Sequence, residues 1–174
     1  MTTSACPAVE RVQPPKAPFD GVNRVVGWFL AGPRRASRLG RHLLLLHVTG
    51  RLSGLVLDVP VSYRRHTDGR LLVLTSSRWR VNLRDRPDVE VTLHGVRRPA
   101  RAELVEDVDA VADVYAALIE EVGPRQASRR LGVRVNLDRV PTHAELVEAA
   151  RRDHLALVLL DVHDGLHVLD GPDA

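Results

Sequence analysis

Hydrophobic positions recur along this chain with two different periods. Alternation with a period of two, or a short apolar run bounded by turn residues, predicts strands at 42–50, 55–65, 70–76, 88–95, 96–106 and 155–163. In the second of these Leu55, Leu57, Val59 and Val61 share one parity, while Pro60 on the other requires an edge position or a bulge. In 88–95 the alternation turns Val89, Val91 and Leu93 inward. The stretch "RLSG" (51–54), with Gly50 and Gly54 at its flanks, and "HTDG" (66–69) carry turn chemistry, so the first three strands form an antiparallel meander.

Helical spacing takes over later in the chain. Residues 107–123 put Val108, Val111, Tyr115, Leu118 and Val122 on one face, with Gly123 and Pro124 as the stop. A shorter helical piece is expected at 125–131, and Thr142 with Glu145 has the capping-box spacing that opens a helix at 143–152. Near the start, 20–31 reads as an amphipathic helix with Val22, Val25, Val26 and Phe29 together, followed by Arg34, Arg35, Arg38 and Arg41. Packing on its own domain is the expectation there, and contact with an anionic membrane surface the alternative. Residues 1–19 carry four prolines and no apolar core, and are expected to be a flexible tail ahead of one domain, 20–174. The order of elements gives an α+β fold, an antiparallel six-stranded β-barrel with flanking helices.

Between the third and fourth predicted strands stands "SSRWRVNLRDRP" (76–87). Trp79 and Leu83, four apart with polar residues between them, predict one or two helical turns that end before Pro87. A chain with two tryptophans sets this one between Arg78 and Arg80.

Composition narrows the function classes. At 174 residues one domain is the default, and at 3% aromatic content its core must be built from Leu, Val and Ala. No apolar run approaches the ~20 residues of a membrane span, so stable membrane insertion is not expected. The lone cysteine, Cys6, excludes an internal disulfide and suits a cytoplasmic location. Lys16 is the single lysine among 25 basic residues, an arginine bias that suits bidentate contact with phosphate or carboxylate and equally suits solvated surface charge. Nucleic acid is not the expected partner, because the few aromatics leave no stacking platforms and no recognised module is present. There is no phosphate-cradling Gly-rich loop entering a helix, no Gly-x-Ser-x-Gly elbow and no Cys-based metal pattern, so no metal is assigned. His143, His154, His163 and His167 read as surface residues, and Tyr115 as core. Tyr63, beside Arg64 and Arg65, is a candidate substrate-facing hydroxyl, with packing as its other reading.

Two pieces together resemble a known family. "LLLLHVTGRLSG" (43–54), followed by "VPVSY" (59–63), "DGRLLVLTSS" (68–77) and "WRVNLRDRPDVEV" (79–91), is similar to the deazaflavin (F420)-dependent nitroreductase family, with its FMN-binding-like split β-barrel. Thr49, Gly50, Arg51, Ser53, Gly54, Pro60, Trp79, Asn82, Leu83 and Pro87 fit its order of motif residues over about 20–163.

The resemblance implies a site at the barrel rim. Coenzyme F420 would be the cofactor, FMN the lesser alternative, and a hydride would pass to a small unsaturated, quinone-like or nitro substrate. Cofactor-binding residues implied in this way are Arg51, Ser53, Ser76, Ser77, Arg78, Trp79 and Asn82; no catalytic residue is assigned. The sequence departs from the family where Leu52 and Leu57 stand, positions usually basic, and in a shortened stretch before Trp79. Two missing charge-assisted contacts would cost ~1.5–3 kcal/mol each in anion affinity. The alternative is therefore a cofactor-free pocket protein of the same fold, an isomerase, cyclase or ligand binder. A homodimer is the expected assembly, because split barrels commonly pair and 155–160 is continuously apolar.

Overall fold

The structure is a computed structural model that describes residues 7–12 and 42–162. The expected helix at 20–31, the arginines behind it, and His163 and His167 lie outside the described residues. In chain order the elements are β1 (Val9–Arg11), β2 (Leu43–Thr49), β3 (Val56–Ser62), β4 (Arg64–Arg65), β5 (Leu71–Thr75), a 3-10 segment (Arg78–Leu83), β6 (Asp88–Leu93), β7 (Val96–Val105), α1 (Val108–Val122), α2 (Ala127–Arg130), β8 (Val133–Val135), α3 (His143–Asp153) and β9 (Ala156–Val162). The described chain divides into two compact units, one of 42–73, 77–104 and 158–162, the other of 7–12, 74–76 and 105–157.

The first unit is organised by a curled antiparallel sheet in the order β3-β2-β6-β7-β9-β5-β4. Its core is the set of inward parities: Leu44, Leu46 and Val48 from β2, Val89 and Val91 from β6, Ala100 and Ala102 from β7, Val158 and Leu160 from β9. Each fully buried Leu or Val of this kind contributes about 1.5–3 kcal/mol. Residues of the other parity, Leu45, Leu72 and Leu159, are buried too. That is why "LLLLHV" and "LALVLL" appear as unbroken runs and not as alternation.

Closure of the sheet explains why it holds seven strands and not six. The predicted strand 55–65 is two strands, because the chain changes partners at Tyr63. Up to that point it pairs with β2, Ser62 opposite Leu43, and the Tyr63 N–H donates to the His42 carbonyl at 2.8 Å. From Arg64 it pairs with β5, Arg64 opposite Leu72. The two outer strands of the ladder are thus consecutive in the chain, which forces the sheet to curl, as a split β-barrel requires. Pro60 sits opposite Leu45 on β3, an outer strand where a missing N–H is tolerated.

The second unit pairs α1 with α3 and joins β1 to β8, Val9 opposite Val135. Part of the expected tail is therefore structure: Val9 is 1% exposed and Arg11 N–H donates to Asp153 Oδ2 at 3.0 Å. A three-residue strand has too few positions to show a period, and its partner is far along the chain. Helix α1 begins where Asp107 accepts from the Ala110 N–H at 2.9 Å and ends at Gly123, φ 81°. Its buried stripe is Val111, Ala112, Tyr115, Ile119 and Val122, rotated from the expected one, with Leu118 and Val108 only half-buried. Burial also pushes the Tyr115 phenol well above its usual pKa. At α3 both halves of the capping box form, Glu145 N–H to Thr142 Oγ1 and Thr142 N–H to the Glu145 carboxylate.

The run Leu155–Leu160 is buried in the single chain, which removes the reason it offered for a second copy. Among the described residues no helix is long and apolar enough to cross a membrane.

The rotated stripe can be tested directly. Ile119→Ala should lower stability by about 2–5 kcal/mol, and Leu118→Ala by less than half as much, in denaturant unfolding. A second test uses pH. On α3, His143 Nε2 lies 3.0 Å from Asp109 Oδ1 and Nδ1 lies 3.1 Å from Asp113 Oδ1, both on α1. The hydrogen bond to Asp109 is the main cause that raises the imidazole above its usual value of 6.5. Because the folded pKa is the higher one, this contribution is full below the unfolded value and disappears as pH rises through the folded value. The Tm difference between the native protein and His143→Gln should be larger at about pH 5.5 than at about pH 9.

Candidate functional site

The turn between β2 and β3 is shaped by its glycines. Gly50 N–H donates to the Leu55 carbonyl at 2.8 Å, and Gly54 N–H to the Gly50 carbonyl at 2.9 Å. A Cβ on Gly50 would stand 2.7 Å from Ser53 Oγ and 3.3 Å from the Leu55 carbonyl oxygen, so a side chain there would have to turn Ser53 aside. Gly54 holds φ at 67°, in the left-handed region. Ser53 Oγ accepts from the Leu55 N–H at 3.3 Å, which leaves its own hydrogen available to another acceptor.

Asn82 ties this turn to the 3-10 segment. Its Oδ1 accepts the Arg51 backbone N–H at 3.0 Å while its Nδ2 donates to the Trp79 carbonyl at 3.0 Å. An amide side chain is suited to do both at once. The Arg51 guanidinium adds a bond from Nη1 to the Val81 carbonyl at 3.3 Å. On the inner side Leu83 is buried in the core and Trp79 packs against it half-buried, so the segment is held from below. Arg80 folds back on its own turn, Nη1 to the Ser77 carbonyl at 3.0 Å. Arg78 faces solvent and forms no hydrogen bond or ion pair among the described residues. Arg51, Ser53, Ser77, Arg78, Trp79 and Asn82 are therefore gathered on one rim; Ser76, half-buried, directly precedes Ser77 in the chain.

Tyr63 is elsewhere. It is 5% exposed within the core cluster, drawn inward by the partner change at the end of β3, and burial raises its phenol pKa. Leu52 is fully exposed and Leu57 is 40% exposed, so apolar side chains point to solvent at the two positions where the resemblance expects bases.

Below the turn lies a polar cross-link the sequence reading did not single out. His47 on β2 is 8% exposed; its Nδ1–H donates to Asp58 Oδ1 at 2.6 Å, and its Nε2 is 2.8 Å from Thr92 Oγ1. These bonds join β3, β2 and β6 near the rung from which the turn springs. Within "LLLLHV" the only signal was a polar residue inside an apolar run.

Among solved structures, similar ones include an FMN-binding protein related to pyridoxamine 5'-phosphate oxidase from Nostoc punctiforme, with 14% identity over 84% of this chain and 81% of that one and a TM-score of 0.47. An F420-H2 dependent reductase is 19% identical over 70% of this chain and 95% of that one, TM-score 0.41. A conserved hypothetical protein from Mycobacterium tuberculosis is 15% identical over 95% and 94%, TM-score 0.39. No curated protein matches by sequence. A family model described as F420H(2)-dependent quinone reductase matches residues 31–141, most of the chain's length and all of the rim described above. The chain belongs to the F420H2-dependent quinone reductase family.

Proposed function

We propose that this protein reduces a small unsaturated, quinone-like or nitro substrate with F420H2, and that the rim formed by the 50–55 turn and the 77–82 segment holds the phosphate of the cofactor. F420 is the cofactor of the family. The observation that carries the reading is the Arg51–Asn82 tie, which brings the two motif pieces together in a chain matched by the family model.

The donor set suits an anion. Arg78 is exposed with no carboxylate beside it among the described residues, Arg51 has guanidinium nitrogens left over after its bond to Val81, and Ser53 retains its hydroxyl hydrogen. Gly50 lets the turn close on Ser53 and Leu55, and Gly54 supplies its left-handed residue. When bound, the reduced deazaflavin supplies the hydride. In this reading Arg78 and Arg51 bind, Ser53 and Ser77 orient through hydroxyl and amide donors, and Ser76 extends that run by one residue. Trp79 and Asn82 hold the segment in register, and Tyr63 serves the core.

A second reading keeps one specific observation in its favour. Leu52 and Leu57 offer no charge, and their exposed apolar side chains suit a pocket that has given up the anionic cofactor for cofactor-free chemistry or ligand binding.

Fluorescence titration with F420, followed by F420H2 consumption with a soluble quinone or nitroaromatic acceptor, separates the two. Native protein should bind and turn over. Arg78→Ala should weaken F420 binding about tenfold, near the low end of a charge-assisted contact because the site is open to water, and the loss should shrink in high salt. Leu52→Lys should tighten binding. No binding by the native protein and no gain in Leu52→Lys would give the cofactor-free reading the lead. Asn82→Ala should cost about 1–3 kcal/mol of stability and weaken F420 binding as well, since both the Arg51 N–H and the Trp79 carbonyl lose their partner. Unchanged affinity in a folded Asn82→Ala protein would remove the tie from the site.

A further inference from the structure

The β2–β3 turn ends in apolar side chains that the fold leaves in water. Leu52 is fully exposed, Leu55 is 68% exposed, Val56 55% and Leu57 40%. The other large exposed hydrophobics among the described residues, Val96 and Val140, are each isolated in the chain. Residues 52–57 therefore concentrate apolar surface in one place, and leaving it in water forgoes the gain that burial brings. The bonds of Gly50, Gly54 and Asn82 fix the turn's backbone, so this exposure is built into its shape.

Strand parity gives the form of the patch. Val56 and Leu57 are successive residues of β3 and project from its opposite faces, yet both are exposed. The hairpin thus extends past the body of the barrel as a finger that is apolar on both sides. A flat protein surface covers one side of such a finger, and these four side chains fall short of the ~800 Å² per partner that a stable protein interface takes. A bilayer surrounds an inserted tip on every side.

The charges beside the finger are those that an anionic bilayer attracts. Arg51 on the turn is exposed, as are Arg78, Arg84 and Arg86 on and just after the 3-10 segment that Asn82 ties to it. Asp85 opposes them, while Asp58 is held by His47 and Asp88 has Arg101 at 3.7 Å.

We propose that the 52–57 finger docks this protein on an anionic lipid surface, with Leu52, Leu55, Val56 and Leu57 in the interfacial layer and the neighbouring arginines at the headgroup phosphates. The contact is with one leaflet and needs no spanning helix. Arg51 and Arg78 also belong to the proposed cofactor rim, so vesicle binding is measured with no cofactor present and its outcome is separate from that of the F420 titration.

The full chain is floated with vesicles of phosphatidylcholine containing about 30% phosphatidylglycerol. It should bind them, and bind at least about tenfold more weakly to pure phosphatidylcholine or in about 0.5 M salt. Leu52→Ser combined with Leu55→Ser should weaken binding at least about tenfold with the unfolding midpoint retained, since both side chains are exposed. Val96→Ser, at the other end of the barrel, should bind as the native protein does. All of these proteins keep residues 20–31, so differences among them report on the finger. In a Cys6→Ser background, an environment-sensitive dye on Leu52→Cys should shift to the blue when vesicles are added, and the same dye on Val96→Cys should not. Three results overturn the proposal: no binding of the native protein to anionic vesicles, native binding in the double-serine variant, or an unmoved dye at position 52. A native dimer that the double-serine variant abolishes would assign the finger to a second copy and overturn it as well.

Discussion

The passage through Tyr63 is the constraint on which the barrel unit depends. A single residue separates a strand that completes one edge of the sheet from a strand that completes the other. With the Tyr63 N–H bound to His42 and Arg64 already opposite Leu72, the two edges cannot separate, and the sheet has to curl around its own side chains. Two consequences follow. Strand edges that would invite pairing with another chain are drawn toward each other. The barrel also acquires two distinct ends, one carrying the 50–55 turn and the 3-10 segment, the other the two hairpins.

At the first end, neutral groups do most of the holding, and the Arg78 guanidinium is left open among the described residues. Gly50 lets the turn close on Ser53 and Leu55, Asn82 satisfies one donor and one acceptor, and Trp79 with Leu83 anchors the segment on the core. Each of these bonds is worth only about 1 kcal/mol net, but leaving a partner unmade costs more, so the arrangement is self-consistent or absent. The guanidinium of Arg78 takes no part in that holding. In the function proposed above, that charge would meet an anionic cofactor without first breaking an ion pair among the described residues.

The His47–Asp58–Thr92 link shows how a polar residue survives in an apolar strand. Both ring nitrogens of His47 have partners, one on each neighbouring strand, so burial leaves nothing unsatisfied. It sits close to the turn and connects three strands there, which gives the rim a base that a purely apolar ladder would not specify as tightly.

Much of this could be read from residues alone. Period-two alternation located the strands and named Val89, Val91 and Leu93 as inward, because a strand's two faces are separated by single residues. The stop at Gly123 ended α1 and the capping box of Thr142 and Glu145 opened α3, because each acts within one turn of its own position. The motif residues from Thr49 to Pro87 pointed to the family because their order along the chain is legible without knowing which of them meet. What needed the tertiary structure is what depends on distant partners. Neither the break at Tyr63 nor β1 has a local signature, since each is decided by which strand lies opposite. The rotation of the α1 stripe toward Ile119 was undecided by spacing, because two overlapping faces of the same helix were almost equally apolar and only its packing chooses one. Sequence by itself determined most of the described elements and, through the resemblance, pointed to the residues of the rim; the tertiary structure decided that Asn82 reaches Arg51 and that Tyr63 turns inward, because contacts between residues far apart in the chain exist only once the sheet has closed.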